Sequence, residues 1–262
     1  MPSDLSAAPA LLRIARRELA WFASDLHLQD DRESLSARFH DALGRLPAPM
    51  AGAPSLFLLG DLFEFWVGDD HASMVSQSLS AALRAKVDEG WQVWLMHGNR
   101  DFLLGAATVQ AWGATLLPDP CVVEIEGERI VLAHGDAQCV DDTRYQQWRA
   151  LCRSEAWQAD FLGRPRDERL RMAAAMREQS RQHQQDRPAP SMTETSADVD
   201  EVTVDALMTR LGASGMIHGH THRPAVHRWQ FGSKARWRAV LSDWECDPPR
   251  GEILSLDRLL AD

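Results

Sequence analysis

The chain has 262 residues, 45% apolar and 25% charged, which suits one large α/β domain or a domain carrying an insertion. Its formal net charge of −10 argues against a nucleic-acid partner, which would call for a basic excess. No stretch of 18 apolar residues offers a membrane span, and Cys121, Cys139, Cys152 and Cys246 form no CxxC pair behind a secretory segment, so they read as reduced thiols in a cytoplasmic protein.

Residues 1–17 mix Pro, Ser, Ala and Arg and end in Arg13, Arg16 and Arg17. They read as a weakly ordered extension, with 18–262 as the domain. From there one pattern recurs: a short apolar run, bounded like a buried strand, ends in a polar cluster. Leu19-Ala20-Trp21-Phe22 leads into Ser24-Asp25-Leu26-His27, and Leu56-Phe57-Leu58-Leu59 into Gly60-Asp61. Val93-Trp94-Leu95-Met96 leads into His97-Gly98-Asn99-Arg100-Asp101, and Ile130-Val131-Leu132-Ala133 into His134-Gly135-Asp136. The last run, Met216-Ile217, leads into His218-Gly219-His220-Thr221-His222. Between the runs, Ser34 to Leu46 and Ser73 to Glu89 carry apolar residues at helical spacing. Strands alternating with helices predict a largely parallel or mixed sheet covered on both faces. Ligands then bind beyond the carboxyl ends of the strands, where all five clusters fall.

The spacings locate an insertion. Asp25 to Asp61, Asp61 to Asn99 and Asn99 to His134 are 36, 38 and 35 residues, each the size of a βαβ step. His134 to His220 is 86 residues, so about fifty residues leave the sheet between Asp141 and Asp200. Tyr145, Trp148, Leu151 and Cys152 share a helical face there, and ten arginines from Arg144 to Arg187 accompany eight acids. A positive, aromatic helical segment in an acidic protein reads as a lid for something anionic and greasy; a plain helical hairpin with a solvated arginine face is the alternative.

Asp25, His27, Asp61, Asn99, His134, His220 and His222 offer carboxylate, amide and imidazole donors without a thiolate. That set suits manganese, iron, zinc or cobalt better than a closed structural zinc site. Seven donors exceed one ion and fit two that share a carboxylate, for which Asp61 is the expected bridge. Two ions ~3.5–4 Å apart activate a water and clamp both oxygens of an in-line displacement at phosphorus. Arg100 adds a fork of donors for a phosphate oxygen. His97 and His218, each before a glycine, read as supports that orient their neighbours.

Asp25-x-His27, Gly60-Asp61, Gly98-Asn99-x-Asp101, His134-Gly135-Asp136 and Gly219-His220-Thr221-His222 resemble the five motifs of the calcineurin-like metallophosphoesterase superfamily. The longer runs from Gly60 to Asp70, His97 to Gly105 and Ile217 to His227 resemble its UDP-2,3-diacylglucosamine diphosphatase family, over about residues 19–247. The resemblance implies an α/β fold, a four-layer αββα sandwich with an inserted helical lid at about 141–200. It implies hydrolysis of a pyrophosphate bond by a two-metal-activated water attacking the α phosphorus, giving 2,3-diacylglucosamine 1-phosphate and UMP for lipid A. The implied cofactor is two manganese ions, one on Asp25, His27, Asp61 and His222, the other on Asp61, Asn99, His134 and His220. Asn99, Arg100 and His134 are the implied catalytic residues. Asn99, Arg100, Asp142, Tyr145, Ser180, Gln184, Arg187 and His220 are the implied contacts to a lipid-linked nucleotide sugar, which places the chain peripherally on the cytoplasmic face of the inner membrane.

The chain departs from the family's pattern in two places. His183-Gln184-Gln185-Asp186-Arg187 stands where the family has an Asn-Ser-Ser-Lys-like tract, so Ser180, Gln184 and Arg187 are its nearest equivalents, and Ser242-Asp243-Trp244 replaces Gly-x-Trp. Arg100 stands where superfamily members acting on alkyl phosphoesters place a proton-donating histidine, which favours a pyrophosphate with its good leaving group. A phosphoesterase acting on a cyclic nucleotide, phosphoprotein or soluble dinucleotide, and a metal-bearing scaffold without catalysis, are the rival readings.

Overall fold

Apolar runs rich in Leu, Val and Phe become strands buried on both faces, and the stretches between them become helices with one apolar stripe. The computed structural model describes residues 11–49, 52–71, 73–185 and 198–261, with the backbone alone over 179–185. The amino-terminal half contains β1 (Leu12–Ile14), β2 (Ala20–Ala23), α1 (Glu33–Gly44), β3 (Ser55–Leu59), α2 (Met74–Asp88), β4 (Gln92–Met96), α3 (Ala106–Ala111) and β5 (Thr115–Leu117). Next come β6 (Cys121–Ile125), β7 (Glu128–Leu132) and three consecutive helices, α4 (Thr143–Cys152), α5 (Glu155–Leu162) and α6 (Arg166–Gln185). The chain ends with α7 (Glu201–Leu211), β8 (Gly215–His218), β9 (Ala225–Phe231), β10 (Lys234–Val240), the hairpin β11 (Glu245–Cys246) and β12 (Pro249–Arg250), β13 (Leu254–Ser255) and α8 (Leu256–Leu260).

Two sheets hold all of these strands except β11 and β12, which pair only with each other. One runs β13-β2-β3-β4-β5, parallel from β2 to β5, and the other runs β1-β6-β7-β8-β10-β9 with mixed pairing. Phe22, Phe57, Leu59 and Met96 from the first pack against Val123, Ile130, Leu132 and Ile217 from the second, forming the central core. Outside the first sheet lie α1, α2 and α3, whose Phe39, Leu79, Leu83 and Val109 bury against Leu56, Leu58 and Leu95. Outside the second lies α7, which packs Val204, Leu207 and Met208 on Val131 and Met216. The result is helix, sheet, sheet, helix, the four layers of an αββα sandwich.

Helices α4 to α6 leave this sandwich after β7. Side chains at their starts satisfy backbone donors: Asp142 accepts from the Tyr145 amide, and Ser154 from the Trp157 amide. The chain is back on the sandwich by Val199, which is buried, and Asp200, which caps α7. Arg187 and the Pro188-Ala189-Pro190 run, which the sequence makes a helix breaker, lie outside the described residues; Ser180 and Gln184 fall on the backbone of α6.

Two expectations change. The extension over 1–17 is structured at its end: Leu12–Ile14 pairs parallel with Val123–Ile125, and Ile14 is buried. Alternating Leu12 and Ile14 cover the edge of the sheet, while Arg13 and Arg17 pair with Glu124 at 3.1 Å and Glu128 at 3.0 Å. Residues 1–10 lie outside the described residues. The lid, expected to be a positive segment, turns about half of its described arginine side chains inward, while Arg144, Arg166 and Arg171 stay exposed. Arg149 and Arg153 reach Asp136, Arg169 reaches Asp70, and Arg177 reaches Glu64. Burying part of a guanidinium demands a paired charge, and the sandwich's carboxylates supply it.

Candidate metal centre

The five polar clusters sit just past the carboxyl ends of β2, β3, β4, β7 and β8. Their turns are unusual. Among the described residues, six non-glycine residues have φ between +48° and +66°, and five of them are Asp25, His27, Asp61, His220 and His222. The left-handed region costs such residues of order 1–3 kcal/mol each, and it persists where the surroundings impose it. Here the loops after β2 and β3 are laced together, the His27 amide donating to the Asp61 carbonyl at 3.0 Å and the Leu28 amide to that of Leu62 at 3.0 Å. Two glycines permit the close approach. A Cβ at Gly98 would collide with the Asp61 carboxylate, and one at Gly219 with Asp25 and Ser24.

These turns bring together residues from both sheets. Donor atoms of Asp25, His27 and His222 lie within 4.8 Å of one another, as do those of Asp25, Asp61 and His134. Asn99 Oδ1 is 3.0 Å from His134 Nε2. The His220 ring lies 5.1 Å, centroid to centroid, from that of His134. The sequence makes Asp61 the shared carboxylate, while Asp25 is the residue common to both triads. Its oxygens take the His220 amide at 2.9 and 3.1 Å and the Ser24 hydroxyl at 2.6 Å, and Asp61 Oδ1 takes the Arg100 amide at 2.8 Å.

The carboxylates and imidazoles of the cluster shift one another's pKa. Burial alone would raise the Asp25 carboxyl, but His222 and the neighbouring imidazoles hold it below the usual range. Burial would lower His134, yet the charges of Asp61, Asp25 and Asp136 push it up to about 9. Both of its ring nitrogens face acceptors, Nδ1 the Leu59 carbonyl at 3.0 Å and Nε2 the amide oxygen of Asn99. Burial and the neighbouring His134 push His220 down to about 3, leaving it neutral. His27 Nε2 and His222 Nε2 face each other at 3.3 Å beside Asp25. Two imidazole nitrogens at that distance need a proton or a cation between them. The donor set therefore fits a dinuclear metal centre.

Around this set stand residues to which the sequence assigned no role. Glu64 Oε2 lies 3.3 Å from His27 Nδ1, and Asp243 Oδ2 lies 3.5 Å from His222 Nδ1. Asp243 is in turn gripped by Arg250 through two hydrogen bonds of 2.8 and 2.7 Å. Carboxylates behind ligating imidazoles fix the tautomer and orientation of the rings. Nothing in the sequence spacing marks them: Glu64 is three residues past Asp61 in an aromatic run, and Asp243 stands alone before Trp244. Asp101 braces two motif loops, taking the Gly98 and Leu62 amides at 2.7 Å each.

The other sequence-predicted residues fall as follows. Arg100 NH1 lies 4.0 Å from Glu64 at the rim. Asp142 caps α4, and the Tyr145 hydroxyl donates to Asp136 at 2.5 Å while its ring lies 6.0 Å from that of His220. His218 is fully buried, between the Gly219 carbonyl and Arg238; burial and Arg238 push it down to about 4, so it stays neutral and away from both triads. His97 Nε2 meets the Leu104 carbonyl at 2.6 Å. Over the rim, Trp157 joins lid to sandwich: it stacks on Phe161 at 4.8 Å, meets Trp148 edge-on at 5.4 Å and Phe102 at 6.1 Å.

Comparison with known proteins shows what the chain is similar to. Residues 20–224 match the calcineurin-like phosphoesterase family. A protein of Stenotrophomonas maltophilia named UDP-2,3-diacylglucosamine hydrolase is 43% identical over 238 residues, 90% of this chain and 94% of its own. A protein of the same name from Xanthomonas campestris is also 43% identical over 238 residues, with the same coverage. Among solved structures, a cold-active protein-tyrosine phosphatase of the psychrophile Shewanella sp. aligns at a TM-score of 0.39 and 15% identity, over 88% of this chain and 72% of that one.

Proposed function

The chain belongs to the calcineurin-like phosphoesterase family, and on that premise we propose that it hydrolyses the pyrophosphate bond of UDP-2,3-diacylglucosamine to UMP and 2,3-diacylglucosamine 1-phosphate. The observation that carries this reading is the clustering of Asp25, His27, Asp61, His134 and His222 donor atoms, with the His220 ring beside His134, set by left-handed residues in the loops after β2, β3 and β8. The shared identity with the two named hydrolases supplies the substrate.

Asp25, His27, Asp61 and His222 would hold one ion, and Asp61, Asn99, His134 and His220 the other, with manganese the expected metal. Bound there, the pair supplies Lewis-acid activation of a water and charge neutralisation at phosphorus. The chain's own residues do the rest. Arg100 presents planar donors to a non-bridging oxygen at the rim, where charge accumulates in the transition state. Asn99 ties His134 to this rim through the 3.0 Å contact. The leaving group is a phosphate, which departs without a proton and fits the absence of a histidine at position 100. Asp142 and the Tyr145 ring border the substrate head in this reading, and the resemblance adds Ser180, Gln184 and Arg187 as expected contacts. The aromatic seam of Trp148, Trp157, Phe161 and Phe102 suits acyl chains.

We place the protein at the cytoplasmic face of the inner membrane as a peripheral protein. The support is the exposed Leu151, Leu162 and Val140, with Arg144, Arg166 and Arg171 also exposed on the lid. No helix among the described residues is long and apolar enough to cross a membrane. The test of function is UMP release with manganese from the acylated substrate against its deacylated counterpart. Release from the acylated form alone is expected; no release from it overturns the proposal.

A further inference from the structure

Glu64 is an acid with few reasons to be buried. It stands in the loop after β3, only 6% exposed, and its amide is fixed on the Leu28 carbonyl at 3.1 Å, next to His27. The partners of its carboxylate are imidazole and guanidinium groups: His27 Nδ1 at 3.3 Å, Arg177 Nε at 2.7 Å and Arg100 NH1 at 4.0 Å. Arg177 comes from α6 in the lid, and it also reaches Gln29 Oε1 at 3.4 Å. A buried carboxylate is retained only where cations or strong donors compensate its lost hydration. Here one compensating group belongs to the metal centre and another to the lid.

The geometry of His27 gives the arrangement its use. Its Nε2 faces that of His222, and its buried Nδ1 lies 3.3 Å from Glu64 Oε2, the carboxylate standing behind the ring. An imidazole ligates through one nitrogen only when the proton sits on the other, and an acceptor behind the ring enforces that tautomer. We propose that Glu64 is a positioning residue which sets the His27 ring for the first metal position, and that Arg177 holds Glu64 in place, so that seating of the lid and retention of that metal are linked. This rests on the two-metal reading above. A substrate that draws Arg177 toward its phosphates would act on the same carboxylate that steadies His27.

The full chain, stripped of metal by chelation, is titrated with manganese by calorimetry and by the paramagnetic resonance of the free ion, and His222→Ala marks which ion belongs to the first position. The wild type is expected to take two ions. Glu64→Ala binds that first ion about 10–100-fold more weakly and the second unchanged, as loss of an outer-shell carboxylate does. Glu64→Gln keeps an oxygen acceptor and loses less. Arg177→Ala weakens the same ion by a smaller factor, and Arg177→Lys restores part of it. Unchanged affinities in Glu64→Ala overturn the role of Glu64, as does equal weakening of both ions with a lower melting temperature. Unchanged affinity in Arg177→Ala overturns the link to the lid, and serves with Glu64→Gln if Glu64→Ala does not fold. Fewer than two ions in the wild type overturns the two-metal reading itself, a separate result.

Discussion

His27 and His222, 195 positions apart, hold their Nε2 atoms 3.3 Å from each other. One imidazole comes from the first sheet and the other from the second, so the contact spans the gap between the sheets at their carboxyl edge. Replacing either ring by alanine is expected to lose one ion and to cut turnover by more than the roughly 10–100-fold typical of an outer-shell partner. Metal content after desalting, measured together with UMP release, checks this. His218→Ala serves as the control and should retain both ions.

The Tyr145 hydroxyl is committed to Asp136, which Arg149 also binds at 2.8 Å. Tyr145→Phe keeps the ring beside His220 and removes only that bond. A hydrogen bond to a charged, buried group contributes about 1.5–3 kcal/mol, so a fall in stability of that order is expected, with KM nearly unchanged. Urea unfolding and steady-state kinetics on the same preparation separate the two; a large rise in KM would show that the hydroxyl works on the substrate instead.

Acid should loosen the lid. Arg169 is buried and grips Asp70, donating from NH1 to Oδ1 at 2.9 Å, and this hydrogen bonding holds the Asp70 carboxyl below its ordinary value of 3.8. A folded value below the unfolded one means that the unfolded chain binds more protons between them. The stabilisation is thus fully present above the unfolded value and is lost as the pH falls through the folded one. Asp70 is largely exposed, so the contribution is about 1 kcal/mol or less. Asp70→Asn should lower stability at neutral pH and flatten the acid limb of a melting-temperature profile as the pH falls below about 4.

The thiols should differ in reactivity. Burial pushes Cys121 and Cys139 up to about 12 and Cys152 up to about 11. At pH 8 a thiol of that kind is thiolate in only about one molecule in ten thousand to one in a thousand, and the thiolate is the nucleophile. Cys246 is only half-buried and should react first with a disulfide reagent, one equivalent per folded chain, with the rest released by denaturant.

The candidate donors are legible in the sequence because strand ends repeat: each apolar run closes on a polar cluster, and βαβ spacing puts the clusters on one edge. The layering could not be read from the runs alone, since a buried strand looks the same whether its second face meets a helix or another sheet, and only the resemblance supplied the sandwich. Leu12–Ile14 was missed because three residues carry too little alternation to stand out from a polar tail. Glu64 and Asp243 act on the backs of imidazoles through contacts that no local spacing encodes. The charge of the lid arginines is legible in the sequence, but the inward direction of Arg149, Arg169 and Arg177 depends on Asp136, Asp70 and Glu64, which no local spacing links to them.

The left-handed turns at Asp25, His27, Asp61, His220 and His222 set fitness for chemistry against robustness of the fold. Glycine tolerates those angles without penalty, so a variant with glycine at His220 or His222 would relieve local strain while emptying the centre. Selection for sturdiness alone would erode these positions first, and a laboratory search for thermostable, inactive mutants of this chain should gather its hits there.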